Sequence, residues 1–176
     1  MNFELTAEQE ALQNLIRDFA RRSIAPVARE LEQSGRYPDG IVAEMKTMGL
    51  FGMLVPEAYG GIALDAVSYS IVFEELSKAW MGIAGILGTH SMACRIIAID
   101  GTEAQKSRWL PGMASGELRS GLALTEPGAG SDLQSITTTA RREGDHYVIN
   151  GGKTWITNAR RARVLPVLVK TDEAAE

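Results

Sequence analysis

The chain has 176 residues, 45% hydrophobic and 23% charged, with a net charge of −4 at pH 7. A chain of this length buries roughly 70% of its unfolded surface, enough for one domain or two small ones without covalent staples, and its balance is neither disordered nor fibrous. The slightly acidic charge gives no basic field for nucleic acid, and the single cysteine, Cys94, excludes an internal disulfide and a Cys-rich metal site.

Residues 1–5 show no basic region followed by an apolar run, so no secretory signal is read there and a cytoplasmic location is expected. Thr6-Ala-Glu-Gln9 is a capping box. Leu12, Leu15, Ile16 and Phe19 follow it at helical spacing, opposite Arg17, Asp18, Arg21 and Arg22. Pro26 should kink or end this helix, Val27 and Leu31 continue its apolar face, and Ser34-Gly35 closes it. A second helix starts near Pro38-Asp39, carries Ile41, Met45 and Met48, and stops at Gly49. Residues 50–55 form a short apolar connector and residues 56–61 a turn. Asp65 caps a third helix through Val67, Ile71, Val72, Leu76 and Ala79.

Residues 81–99 approach membrane-span length. Gly82, Gly85, Gly88, Thr89, His90, Ser91 and Arg95 interrupt them, however, and a helix buried in a protein core is the better reading. Gly101 ends that helix. Thr102-Glu-Ala-Gln105 is a second capping box, opening a short helix that carries Trp109 and should break at Pro111-Gly112.

Beyond Gly116 the period changes. Residues 119–125, 136–142, 147–150, 153–157 and 164–170 are short and rich in Thr, Val, Ile and aromatics, with Gly144-Asp145, Gly151-Gly152 and Asn158 between them. An antiparallel meander is expected, with Pro166 marking a bent or edge strand. The fold class is therefore α+β: a helical domain over 1–116, then an incomplete β-domain over 117–176 whose sheet should present unpaired edges.

Residues 122–132 read as a strand that breaks into a turn, because Pro127, Gly128 and Gly130 forbid both a helix and a continued ladder. The amides of Ala129, Gly130, Ser131 and Asp132 could line one concavity suited to an anion or a carbonyl-rich ligand, with Thr125 and Ser131 adding hydroxyl donors. A plain proline-glycine turn is the alternative. His90 reads as a hydrogen-bonded core residue and Cys94 as a small hydrophobe. Arg141, Arg142, Arg160, Arg161 and Arg163 read as a solvated face.

The helices, then Leu124-Thr-Glu-Pro-Gly-Ala-Gly-Ser-Asp132, then Asn150-Gly-Gly-Lys-Thr-Trp-Ile-Thr-Asn158, closely resemble the acyl-CoA dehydrogenases. The resemblance implies an FAD-dependent oxidoreductase of fatty-acid metabolism that removes an α-proton and a β-hydride from an acyl-CoA thioester. It places Leu122, Leu124 and Thr125 at the pyrimidine edge of the flavin, and Gly130 at close approach to it. Ser131 is implied to lie between flavin and substrate, Trp155 and Ile156 to pack at the ring, and Thr157 to donate to the reactive nitrogen. Strand alternation puts Trp155 and Thr157 on one face and Ile156 on the other.

The same resemblance implies a homotetramer, an electron-transfer flavoprotein as acceptor, and a further C-terminal helical domain that carries the catalytic base. No catalytic residue is assigned here, and the chain alone is expected to be inactive. Two other readings are a non-catalytic module that needs a complementary domain, and an acyl-CoA oxidase or flavin monooxygenase of the same fold. Ala159-Arg-Arg-Ala-Arg163 departs from the small-residue turn and acidic residue usual after this motif.

Overall fold

The computed structural model describes residues 4–171. Both capping boxes form. Thr6 accepts from the Gln9 amide while Gln9 reaches back to the Thr6 amide, opening α1 (Ala7–Phe19), and Thr102 and Gln105 do the same for α5 (Glu103–Ala114). Pro26 does not end the first helical rod. A π turn over Ala20–Ile24 precedes α2 (Ala25–Ser34), and the Ala25 amide bonds five residues back to the Ala20 carbonyl. This wider turn makes room for a ring that has no N–H and would crowd the preceding turn. Gly35, at φ 65°, closes α2 in the left-handed conformation.

After α3 (Asp39–Thr47), the chain enters α4 (Ala66–Asp100), where Asp65 accepts from the Val67 and Ser68 amides. The two helices expected here abut at Trp80, whose φ −164° and ψ 108° interrupt the ladder. Ile16, Phe19, Ile24, Met45, Phe51, Leu76, Ile83 and Leu87 form the main core, and all are fully buried or nearly so. Each contributes roughly 1.5–3 kcal/mol by leaving water. Arg17 on α1 grips the buried Glu75 of α4 through two guanidinium nitrogens, at 3.2 and 3.0 Å.

By length and composition α4 could cross a membrane, yet half of its most apolar window is buried inside the protein, as the core-helix reading expects. A second core joins Val55, Ala93, Cys94, Leu110 and Met113, with Leu118 and Val164 packed against it. The expected break at Pro111 is corrected: α5 runs on to Ala114. The carbonyls of its last turn find acceptable donors beyond it, with Leu118 N–H reaching Gly112 O at 2.8 Å.

The β-region keeps its class and loses most of its expected strands. β1 (Thr139–Glu143) and β2 (His146–Asn150) form one antiparallel hairpin, in register from Thr139 opposite Asn150 to Glu143 opposite His146. Every residue of β2 is exposed. Segments 119–125 and 164–170 are extended but pair in parallel, through isolated bridges at Ser120–Val164 and Ala123–Val167. Pro166 accounts for part of this. It lacks an amide, and its carbonyl accepts from Ala123 N–H at 3.0 Å, so no regular ladder runs through it. The expected strand over 153–157 does not form, because Trp155 adopts φ 56°, outside the extended region, and the chain bends there.

Candidate functional site

The two motifs that stand out in the sequence are brought together by a buried ion pair. Glu126 closes a tight turn with Ala129, its amide donating to the Ala129 carbonyl at 2.8 Å and its own carbonyl accepting from the Ala129 amide at 3.2 Å. Its carboxylate points inward. There it accepts from Thr137 N, Thr137 Oγ1 and Thr138 N at 2.6, 2.7 and 3.0 Å, and pairs with Lys153 Nζ at 2.8 Å. Both side chains are nearly water-free, with relative exposures of 9% for Lys153 and 3% for Glu126. Burial pushes the Glu126 carboxyl up, but the hydrogen bonds from Lys153 and the threonines outweigh it and hold the group well below the usual carboxylate range.

Lys153 also donates to the Leu124 carbonyl at 2.9 Å, and the Thr154 amide to the Thr125 carbonyl at 2.9 Å. Residues 122–125 therefore lie beside residues 153–157, although the latter are not a strand. Leu122, Leu124, Thr125 and Ile156 are half-buried, while Gly130, Ser131 and Thr157 are exposed. Trp155 is 88% exposed at its left-handed φ. A bulky residue in that region costs on the order of 1–3 kcal/mol, and such strain persists where the surroundings impose it. A large aromatic held out into open space, beside a row of backbone groups, has the form of a ligand platform.

The expected nest of amides is smaller than the sequence reading gave. Ala129 N–H is engaged by the Glu126 carbonyl and so is taken out of it. A Cβ at Gly130 would meet nothing within 4 Å, so open space lies beside it. Asp132 caps the short helical turn Leu133–Ser135 through the Gln134 amide.

A second cluster docks this site on the helices. Ser120 donates its amide to His90 Nδ1 at 3.1 Å and its hydroxyl to the Val164 carbonyl at 2.7 Å. His90 Nδ1 is thus the acceptor, which leaves Nε2–H to donate to Met113 O at 3.0 Å. Burial drives this neutral imidazole down to about 4 and the neighbouring Cys94 thiol up to about 12. Asn158 Nδ2 lies at 2.9, 3.1 and 3.1 Å from Ile86 O, Thr89 Oγ1 and Ser120 O, and its φ of 67° suits asparagine. His90 is the hydrogen-bonded core residue its apolar helix implies. Glu126, Lys153, Ser120 and Asn158 escape the sequence reading, since only the fold brings them together.

Gly121 sets how closely these segments approach. A Cβ there would lie 2.3 Å from the Thr157 carbonyl oxygen. Gly121→Ala is expected to destabilise the chain by about 1–3 kcal/mol by forcing the two backbones apart, measured by urea denaturation. An unchanged midpoint would show that the loop at 157 gives way freely.

Comparison with known proteins matches this arrangement. The model for the acyl-CoA dehydrogenase N-terminal domain matches residues 6–117, and that for the middle domain residues 121–176. (2S)-Methylsuccinyl-CoA dehydrogenase of Cereibacter sphaeroides is 42% identical over 96% of this chain and 31% of its own length. The crystal structure of an acyl-CoA dehydrogenase from Geobacillus kaustophilus superposes with a TM-score of 0.89 at 38% identity, over 99% of this chain and 46% of that one. The Bacillus anthracis acyl-CoA dehydrogenase solved with FAD gives 0.84 at 38% identity, over 95% and 29%. This chain spans less than half the length of each of these relatives. With both domain models matched in order across nearly its whole length, the chain belongs to the acyl-CoA dehydrogenase family.

Proposed function

We propose that these residues form the flavin-facing wall of an FAD-dependent dehydrogenase that acts on an acyl-CoA thioester. The observation that carries the reading is Trp155, strained and exposed, held against residues 122–125 by Lys153 and Thr154. The residues fit a flavin. Open space at Gly130, the exposed Thr157 and Ser131 hydroxyls and the half-buried Leu122–Thr125 backbone offer donors and a flat apolar neighbour. Leu122, Leu124 and Thr125 would meet the polar edge of the ring, Trp155 and Ile156 its body, and Thr157 the hydride-accepting position. Ser131 would reach toward the thioester substrate.

FAD, when bound, supplies the hydride acceptor. Donors fixed beforehand at its polar edge favour the charge that develops there on reduction, because they need no rearrangement. The chain's own part is thus to orient the ring and exclude water from one side. We assign no general base to these residues: Glu126 is buried in its ion pair, and Asp132 is occupied by Gln134 and Ser135. Proton abstraction belongs to residues outside this site, and the isolated chain is proposed to be inactive in turnover. Assembly into a homotetramer and oxidation by an electron-transfer flavoprotein complete the reading.

The test is the visible spectrum of the purified chain, titrated with FAD and then with acyl-CoA thioesters without oxygen. FAD is expected to bind with quenching of the Trp155 emission, and Trp155→Ala to weaken that binding at least tenfold. A chain that leaves both flavin and tryptophan signals unchanged overturns the platform. Oxygen consumption against reduction of a flavoprotein acceptor separates an oxidase from a dehydrogenase.

A further inference from the structure

Ile156 and Thr157 sit between two residues whose backbones lie in the left-handed region. Among the described residues the non-glycine positions with positive φ are Ala63, Trp155 and Asn158, and the last two flank this dipeptide, at 56° and 67°. Such conformations persist where the surroundings over-determine them. At Asn158 the side chain and the carbonyl both do so.

The Asn158 amide nitrogen carries two hydrogens and lies within bonding distance of three acceptors, on Ile86, Thr89 and Ser120. Two are carbonyl oxygens. The third is a hydroxyl whose own hydrogen goes to the Gly85 carbonyl at 3.3 Å. With no proton on offer from these partners, the nitrogen of the side chain and not its oxygen must face them. One amide therefore ties residue 158 to α4 and to residues 119–125 at once. The Asn158 carbonyl accepts from Arg161 N and Ala162 N, both at 2.8 Å, which closes the turn that follows. Thr157 is seated from its other side, its carbonyl oxygen lying where a Cβ on Gly121 would come within 2.3 Å.

We propose that Asn158 is a positioning residue for Thr157: from its hold on α4 it sets where the Thr157 hydroxyl stands relative to bound flavin. The proposal rests on the flavin-facing reading above and adds to it a half-buried residue that acts through its neighbour. The chemistry at 158 is demanding. Aspartate has nearly the same shape and tolerates the same φ, but its carboxylate has no N–H and would face three oxygen atoms. Glycine keeps the φ and makes no side-chain bond. These two changes separate the bonds from the backbone.

The full chain is titrated with FAD as wild type, Asn158→Gly, Asn158→Asp, Thr157→Val and Thr157→Val/Asn158→Gly. Each single change is expected to weaken binding about tenfold, and Asn158→Gly and Thr157→Val to shift the visible bands of bound flavin in the same direction. If Asn158 acts through Thr157, the double variant binds within about twofold of Thr157→Val alone. Effects that multiply, or a flavin spectrum unmoved by Asn158→Gly, overturn the proposal. Should Asn158→Gly not fold, Thr89→Val, which removes one of the three acceptors, carries the same comparison. Trypsin treatment of the flavin-free chain gives a second measurement. With Asn158→Gly, cleavage after Arg160 or Arg161 should quicken about fivefold or more while melting stays cooperative. An unchanged rate shows that the amide does not hold this turn, and it too overturns the proposal. A wild-type chain that takes up no FAD overturns the platform and the flavin half of the proposal with it. The trypsin comparison then decides alone whether Asn158 holds the turn, so the two failures are distinct.

Discussion

Glu126→Leu is expected to be the most damaging single substitution in the site, lowering the melting temperature by on the order of 10 °C. Four donors converge on this carboxylate, from Thr137 twice, Thr138 and Lys153. Leucine answers none of them, and it leaves the Lys153 ammonium buried with the Leu124 carbonyl as its remaining partner. A buried charge without its counter-ion is far worse than no charge at all. Lys153→Met should be milder, because Glu126 keeps its three donors from Thr137 and Thr138. Glu126→Gln should be milder still, since its amide oxygen accepts one or two of the four bonds.

The ranking Leu at 126, then Met at 153, then Gln at 126, read by thermal denaturation, tests the bonding pattern rather than the volume of the site. Equal effects for all three would mean that the pair is solvated and contributes little. Flavin affinity should follow the same order. Lys153 pins the Leu124 carbonyl, and a carbonyl released from it lets residues 122–125 drift from the positions proposed to meet the ring.

Much of this fold was legible because its signals are local. The capping boxes at Thr6 and Thr102 need only residues three apart, and both formed. Asp65 and Gly35 likewise mark their helix ends by chemistry visible in a short window. Pro111 misled, whereas Pro26 marked a real interruption of its helix. Pro26 is accommodated by a π turn upstream, and Pro111 sits inside the last turn of α5, where few ladder bonds remain to lose. The β-region failed for a different reason. Residues 153–157 have strand composition, yet Lys153 is drawn inward by Glu126, twenty-seven residues earlier, and Asn158 is tied to α4 by Ile86 and Thr89. Between those two anchors the chain turns at Trp155, and no periodicity encodes that. The motif residues were found by resemblance, whereas the charges and amides that hold them emerge only when distant segments meet.

Lowering the pH from 7 to 5 is expected to remove about 2 kcal/mol of stability through His90 alone. The folded chain keeps this imidazole neutral down to about 4, against 6.5 for an ordinary histidine, because burial penalises the cation. Between those values the unfolded chain binds the extra proton and the folded chain does not, so falling pH favours unfolding. The carboxylates held low by their partners, Glu75, Asp65 and Glu126, add their own losses only as the pH falls further, which keeps the window above pH 5 clean.

His90→Asn isolates the effect. Asparagine can still accept from the Ser120 amide but is too short to reach Met113 O, so the variant should be less stable at pH 7 by about 1–3 kcal/mol. It should also lose the slope between pH 7 and 5, so that the two proteins converge at the acid end. Urea midpoints at each pH give both quantities. A variant that keeps the wild-type slope would place the titrating group elsewhere. Because the proton that His90 refuses would land on Nδ1, the acceptor for Ser120, the same titration also reports how firmly residues 119–125 are docked on α4. Acid should therefore loosen residues 119–125 from the helices before it unfolds either one.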